Sequence, residues 1–389
     1  MSWLISVSIL VAGEMSDGRD ILTGARPPQW PGLSGQLWLA DGIGISMTLR
    51  RRGRAGSEGS RSVEDFWRWW ASAGRAAAEA GIGGAGFEGF TGEMTTRVNA
   101  MHPDLAWELA PGERAEHALV VTAAGVPALR RLAERWYQHA PAASAVWEYH
   151  PARHASPSSL AAVLEFGGQR LSLAELMFDL HVDNDRDVID TVVFHPLFAT
   201  MPSNARKQVG FLALDWALGE DGVTRWIGGV DTSDTRPSAG VPPDGLIETV
   251  EALAGRAGQP RWVLLHGECE GAVVLASLCV PAKWVDHPLM DLHMAVTLPF
   301  ADQTPQGLPG PSSLDQLRAL EDELTDRLEP RALLVAHETT RGVRTLHLYA
   351  DSDAPDLAKQ VQDAVEGWPG AAVNSNLDFG WRAIRHLKE

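Results

Sequence analysis

The segment RGVRTLHLYAD, Arg341 to Asp351, gathers two arginines, a histidine, a tyrosine and an aspartate within one short apolar run. Side chains alternate along a strand, so Val343, Thr345, His347 and Tyr349 share one face while Arg344, Leu346 and Leu348 share the other. His293, in an earlier strand-like run, is expected beside His347 and Tyr349. Arg344 is expected near the strand's edge, where its planar fork reaches the carboxylate of Asp378. Trp381 is expected to pack at the end of the last strand. Such groups serve either proton transfer or ligand contact. No complete catalytic signature accompanies them, so Arg344, His347, Tyr349, Asp378, Trp381 and His293 are read as a structural or binding face, with no catalytic residue assigned.

Other stretches spell chemistry without its context. GAGFEG (84–89) matches a dinucleotide fingerprint by letter, but it follows an Ala-rich helix where the fingerprint must follow a strand. The triplet DFG (378–380) lacks every companion motif of a kinase. DNDRD (183–187) resembles a calcium loop, yet Val188 and Phe194 stand where that loop needs Gly and Glu. His150 and His154 in HPARH are four apart, but Pro151 opposes a helix through both and no acidic third ligand is evident nearby. His287 and His293 flank a strand start and offer no better set. No metal and no cofactor is assigned. There is no G-x-S-x-G nucleophile, and the two cysteines, Cys269 and Cys279, have no redox or zinc spacing. They are read as buried free thiols within one hairpin.

The elements that must carry these residues follow from periodicity. SVEDFWRWWASAGRAAAEAG reads as a helix capped by Ser62, with Phe66, Trp69, Trp70 and Ala73 as its apolar stripe, followed by a Gly-rich loop over 81–92. Strands are expected at 106–110, 117–123 and 144–150, with an amphipathic helix over 126–140. A hairpin turned at Asn184-Asp185 precedes a helix over 203–220 and the strand RWIGGVD. The Pro- and Gly-rich stretch 232–245 reads as a linker. Beyond a short helix and a hairpin turned at Glu270-Gly271, the chain spells βαββαβ, with Leu314, Leu317, Leu320, Leu324 and Leu328 on one helix face and capping-box spacing at Ser313 and Gln316.

The C-terminal half, from about Arg261, resembles the uncharacterised bacterial domain of unknown function 695 through Gly342, Arg344, LHLYAD, Asp378 and Trp381. Residues 66–256 resemble a companion region of unknown role through FWRWW, ALVVTAAG, HAPAASAVWEYHPAR, VVFHPLF and LDWALGE. Some relatives look akin to ribonuclease E inhibitor domains of the RraB type, which act by binding an enzyme. The resemblance implies kinship and fold, and no activity.

Composition bounds the rest. With 389 residues the chain exceeds one simple core. Net charge is −17; residues 1–62 hold seven Arg against five acids, so the remainder carries −19. That surface repels phosphate backbones, and nucleic acid is not the expected partner. The first ten residues are apolar but too few to span a bilayer. Residues 1–62 are read as a flexible extension, or one arising from an early start with Met47 nearer the true beginning. The expected architecture is α+β: an N-terminal domain over 63–234, a linker and short helix over 235–260, and a ferredoxin-like domain over 261–389 with an extra hairpin, each an antiparallel sheet with helices on one face. The expected protein is cytoplasmic, off the membrane, and binds a protein partner without catalysis, as an inhibitor or immunity factor does. The alternative is a hydrolase with its site at the domain interface. Its mark would be a deep pocket holding two or more titratable groups of shifted proton affinity.

Overall fold

The computed structural model describes residues 36–39, 44–46, 59–84, 86–166, 168–256, 260–328 and 330–388. The reading of residues 1–62 as an extension therefore falls largely outside the described residues. Contacts divide the chain into two compact units, Met1–Val182 with Ile189–Val250, and Asp183–Val188 with Glu251–Glu389. Both are mixed α+β.

Unit 1 begins with strands β1 (Gln36–Leu39) and β2 (Gly44–Ser46) and helix α1 (Gly59–Trp69). Ser62 lies inside α1 and is not its cap. A π turn over Trp70–Gly74 joins α1 to α2 (Arg75–Ile82). The buried stripe is Val63, Phe66, Trp67, Trp70, Gly74 and Ala78, where the sequence suggested Trp69 and Ala73. Helix α3 (Phe87–Met101) starts inside the expected loop, after Gly86 turns left-handed at φ 74°. Strands β3 (Ala106–Pro111) and β4 (His117–Thr122), helix α4 (Pro127–Gln138) and strand β5 (Trp147–His150) follow.

Phe66, Trp67, Trp70, Trp136, Trp147 and Tyr149 form the centre of this core. Most of these buried indoles find acceptors, Trp136 Nε1 excepted. Trp67 donates to the Trp136 carbonyl at 2.7 Å, Trp70 to the Tyr149 hydroxyl at 3.0 Å, and Trp147 to Glu79 at 2.9 Å.

Strands β6 (Val163–Phe166) and β7 (Gln169–Ser172) extend the β1–β2 pair into the order β2-β1-β6-β7. Next come β8 (Met177–Asp183), β9 (Val188–Phe194), α5 (Ser203–Leu218), α6 (Glu220–Trp226), β10 (Ile227–Ser233) and α7 (Pro243–Arg256). The expectation of uniformly antiparallel sheets is corrected here: β4 pairs β5, and β9 pairs β10, in parallel. In each case a helix connects the partners, and a helical crossover returns the chain in the same direction.

Unit 2 opens with the hairpin β11 (Arg261–Cys269) and β12 (Ala272–Val280). Its turn residues Glu270 and Gly271 both have positive φ, 49° and 77°, the conformation a two-residue hairpin turn requires. Strand β13 (Met290–Pro299), helix α8 (Pro311–Leu328), strands β14 (Ala332–Thr340) and β15 (Val343–Asp351), helix α9 (Pro355–Val365) and strand β16 (Ala372–Leu377) complete it, with a 3-10 turn over Arg382–Leu387. The six strands run β11-β12-β14-β15-β13-β16, every pair antiparallel.

Leu317, Leu320, Leu324 and Leu328 of α8 and Leu357, Val361 and Val365 of α9 pack on Met294, Val296, Leu298, Leu346, Leu348 and Ala350. Leu314 is half-buried. The expected capping box is not used. Asp302 instead accepts the Ser312 amide at 3.0 Å, and Ser313 hydroxyl accepts the Asp302 amide at 3.1 Å. Cys269 is exposed and Cys279 half-buried, so the first is not the buried thiol expected. Among the described residues no helix is long and apolar enough to cross a membrane.

Candidate functional sites

The register of unit 2 decides which candidate residues meet. Strands β13 and β15 pair His293 with Tyr349 and Ala295 with His347. Both histidines and the tyrosine therefore project from the sheet face opposite the helices. His293 Nε2 lies 3.0 Å from His347 Nδ1, and His347 Nε2 lies 3.1 Å from Glu338 Oε1 on β14. The second Glu338 oxygen meets His386 Nε2 at 3.2 Å. Beside this row the Tyr349 hydroxyl donates to Asp378 at 2.7 Å. Asp378 also accepts the amides of Arg382 and Ala383 at 2.9 and 2.8 Å.

That face is not open. Trp381 stacks on Tyr349 with ring centroids 4.5 Å apart and donates its indole N–H to the Met290 carbonyl at 2.8 Å. Ile384 of the terminal 3-10 turn joins the same cluster with Leu278, Val335 and Ala336. A sheet with helices on one face leaves the other bare unless a further layer covers it, and residues 381–387, which supply that layer, have no periodicity long enough to announce a helix. His293, His347, Tyr349 and Trp381 are all buried.

Arg344 stands elsewhere. It is buried on the helix side, where its Nε donates to Thr339 Oγ1 at 2.9 Å and its Nη1 to Glu321 Oε1 at 2.8 Å. The expected approach to Asp378 is corrected by strand alternation: Arg344 and Tyr349 differ by an odd number of positions, so they leave opposite faces.

Burial shapes the titration of the row. It lowers His293 to about 4, helped by the neighbouring His347. His337, across the sheet, is also held near 4 by burial and by Arg344. The His347 ring, against the cost of burial and with His386, holds Glu338 at about 2. Burial pushes Tyr349 upward, and Asp378 adds to it. Burial also works against the Asp378 carboxylate, but the amides of Ala383 and Arg382 and the Tyr349 hydroxyl keep it below its ordinary range. The result is a satisfied polar seam that ties the C-terminal turn to the sheet. Neither cavity described below touches it.

A second cluster lies in unit 1. Strand β3 supplies Glu108, the bend after β5 supplies Arg153, and α5 supplies Asp215. They wall a cavity of about 220 Å³ together with Glu148, His150, His154, Glu113 and Trp216. Arg153 Nη1 donates to Asp215 Oδ2 at 2.7 Å, while Arg153 Nε stands 3.6 Å from Glu108 Oε2 and makes no hydrogen bond. Glu220, buried at the start of α6, accepts the Gly125 amide at 2.8 Å and the Thr122 hydroxyl.

Burial raises Glu108 to about 7 against the pull of Arg153, with Glu220 and Asp215 adding to the rise. Burial raises Asp215 to about 6 in the same way. At the rim His150 and His154 touch, ring centroids 3.8 Å apart, and each is backed by a carboxylate: Glu148 at 3.2 Å and Glu113 at 2.8 Å. Glu148 stands two residues before His150 on β5, a neighbour the sequence reading passed over, and Glu113 arrives from the β3–β4 turn. Among the described residues no group of three or more His, Cys, Asp or Glu is arranged to hold a metal ion. Glu108 and Asp215 were not singled out in sequence, because nothing near them signals burial of a charge. A larger groove of about 530 Å³ runs past Asp179, Asp190, Lys207 and Asp231.

Unit 2 thus defines an α+β class whose polar seam is sealed by its own C-terminus. Residues 275–383, from within β12 to within the terminal turn, match the family described as "Family of unknown function (DUF695)". The match covers all six candidate residues, and the N-terminal region has no family assignment. No curated protein and no solved structure matches the chain.

Proposed function

We propose that the protein is a non-catalytic binding and regulatory protein, inhibitor- or immunity-like, that captures an extended segment of a basic protein partner on strand β11. The carrying observation is the character of that edge. Among the described residues strand β11 has a neighbour on one side only, β12, and leaves a nine-residue edge. Trp262 is 50% and Leu264 74% exposed on it. Edge strands are ordinarily guarded by charge, Pro or distortion. The opposite edge, β16, presents Asn374, Ser375 and Asn376, whereas β11 presents an exposed indole and leucine between Arg261 and Glu268. Added strands gain main-chain hydrogen bonds on such an edge and specificity from alternate side chains. The net charge of −17, with Glu268 near the strand's end, favours a basic segment.

The finer fold reading belongs to the same proposal. The order β14-β15-β13-β16, with two helices on one face, supports a ferredoxin-like arrangement in which the β11–β12 hairpin adds the binding edge. Kinship to RraB-type inhibitors would agree with it.

A photo-crosslinking residue at Leu264 of the full chain tests the proposal. The expected product in native lysate is one discrete heterologous adduct. Its identified partner should then bind the purified chain stoichiometrically and lose at least 30-fold affinity on Trp262→Ala, a loss of about 2 kcal/mol typical of a buried interface anchor. Adducts only to a second copy of this chain, or none, overturn it. Glu108 and Asp215, whose proton affinity is raised in one cavity, both belong to unit 1, whereas the hydrolase reading places its site at the domain interface.

A further inference from the structure

The turn beside β11 decides which of its main-chain groups are free. Glu270 and Gly271 form a two-residue turn, so the flanking Cys269 and Ala272 exchange both of their main-chain hydrogen bonds. Antiparallel pairs alternate between bonded and unbonded from there on. Cys269, Gly267, Leu265, Val263 and Arg261 therefore turn their N–H and C=O groups inward to β12, and Glu268, His266, Leu264 and Trp262 turn theirs outward. A contact on the neighbouring strand agrees. Val273, opposite Glu268, accepts the Thr340 hydroxyl of β14 at 2.9 Å, so its carbonyl points away from β11.

Side chains follow the same parity. His266 stands opposite Leu275, Leu275 opposite Thr339, and Thr339 opposite Arg344, so the four outward residues share the sheet face that bears α8 and α9. The core beneath those helices takes no described residue of β11 or β12. Val263 and Leu265 take the other face and pack against the cluster under the C-terminal turn. The exposed Trp262 and Leu264 thus offer apolar surface beside the same main-chain groups that lack a partner strand.

Every pair in this sheet is antiparallel, the more stable sense per residue. A strand added to β11 in that sense sets one residue directly opposite each of the four, bonded to it twice and on its face. Opposite Trp262 and Leu264 an apolar residue gains contact. Opposite the exposed His266 a polar residue suits. Opposite Glu268 a basic residue gains most, because Glu268 is exposed and makes no ion pair among the described residues, whereas Glu270 is held by Arg341 at 3.1 Å.

We infer, resting on capture at β11, that the captured segment has a period of two and a fixed direction: from its N-terminus, every second residue reads basic, polar, apolar, apolar, set opposite Glu268, His266, Leu264 and Trp262. Its intervening residues lie on the face of Val263 and Leu265.

The test measures fluorescence anisotropy of labelled peptides with the full chain. The first peptide is Lys-Thr-Ser-Thr-Ile-Thr-Val, the second is its reversed sequence, and the third, Lys-Thr-Ser-Ile-Thr-Val-Thr, moves the apolar pair by one place. The first is expected to saturate one to one, and the other two to bind weaker by about tenfold or more, since neither sets Lys and both apolar residues opposite their partners in the antiparallel sense. Glu268→Lys alters an exposed side chain and should invert the charge preference, so that a first peptide with Glu in place of Lys binds about threefold more tightly than the original. Equal binding of the reversed or shifted peptide overturns the inference. So does no saturable binding of the first peptide, or an unchanged charge preference in the Glu268→Lys variant. The Leu264 crosslink separates the two failures: a discrete heterologous adduct with equal peptide binding leaves capture at β11 standing and removes the pattern and direction, whereas no adduct removes capture and this inference with it.

Discussion

Replacing Trp381 with Ala asks whether the C-terminal turn truly seals the sheet of unit 2. Trp381 is 3% exposed, stacked 4.5 Å from Tyr349, and its indole N–H meets the Met290 carbonyl at 2.8 Å. Truncating a buried aromatic to Ala costs about 3–5 kcal/mol through lost transfer energy and the cavity left behind. Losing the indole donor adds about 1 kcal/mol where the carbonyl stays dry. Partial collapse of Ile384 into the space offsets some of this, so about 4 kcal/mol is the expected loss. Trp381→Phe keeps the ring face and should lose about 1–2 kcal/mol, mostly from the hydrogen bond.

The assay is urea unfolding of the full chain, with hydrogen exchange at the amides of Arg382 and Ala383 as a local reader. Those two amides are bonded to Asp378 and should lose protection in the Ala variant before any global transition. A midpoint change worth less than about 1 kcal/mol, with protection unchanged, would refute the reasoning, since a surface tryptophan away from special contacts costs no more than that. The face bearing His293, His347 and Tyr349 would then be open to ligands.

The buried pair of Arg344 with Glu321 should be costly to break and cheap to replace whole: Arg344→Met alone is expected to lose about 3–5 kcal/mol, and Arg344→Met with Glu321→Leu much less, by urea midpoint. Acid should weaken unit 2 in two stages. His293 and His337 stay neutral in the fold down to about pH 4 but protonate near their ordinary 6.5 once unfolded, so stability falls between pH 6.5 and 4. Each contributes at most about 3 kcal/mol at 1.36 kcal/mol per pH unit, and partial solvent contact reduces that to roughly 1–2. Glu338, held near 2, stabilises fully above its ordinary 4.5 and loses that contribution as pH falls toward 2. A urea midpoint unchanged between pH 7 and 4.5 would contradict the first stage.

Much of unit 2 was legible because its signals are local. The leucine stripe from Leu317 to Leu328 needs only a 3.6-residue period, and the alternation of Leu346 and Leu348 with His347 and Tyr349 only a period of two. The covering of that face was not legible, since Trp381 and Ile384 reach it from a short turn with no period of its own. The stripe of α1 was misread at Trp69 because four of the five residues 66–70 are aromatic, and the helical period alone does not choose between Trp67 and Trp69. In unit 1 the parallel pairs β4–β5 and β9–β10 escaped notice, because strand direction is settled by what the connecting helix packs against.

From the sequence alone come the α+β composition, the positions of most strands and helices, the acidic surface and the absence of any complete catalytic motif, all properties of residues near one another in the chain. Only the tertiary structure decided that Arg344 faces Glu321 and not Asp378, that the histidine row is sealed, and that Glu108, Arg153 and Asp215 share one cavity. The physical reason is that charge energetics depend on distance through space and on burial. Glu108 and Asp215 are separated by most of a domain in sequence, and folding alone brings them to the same guanidinium.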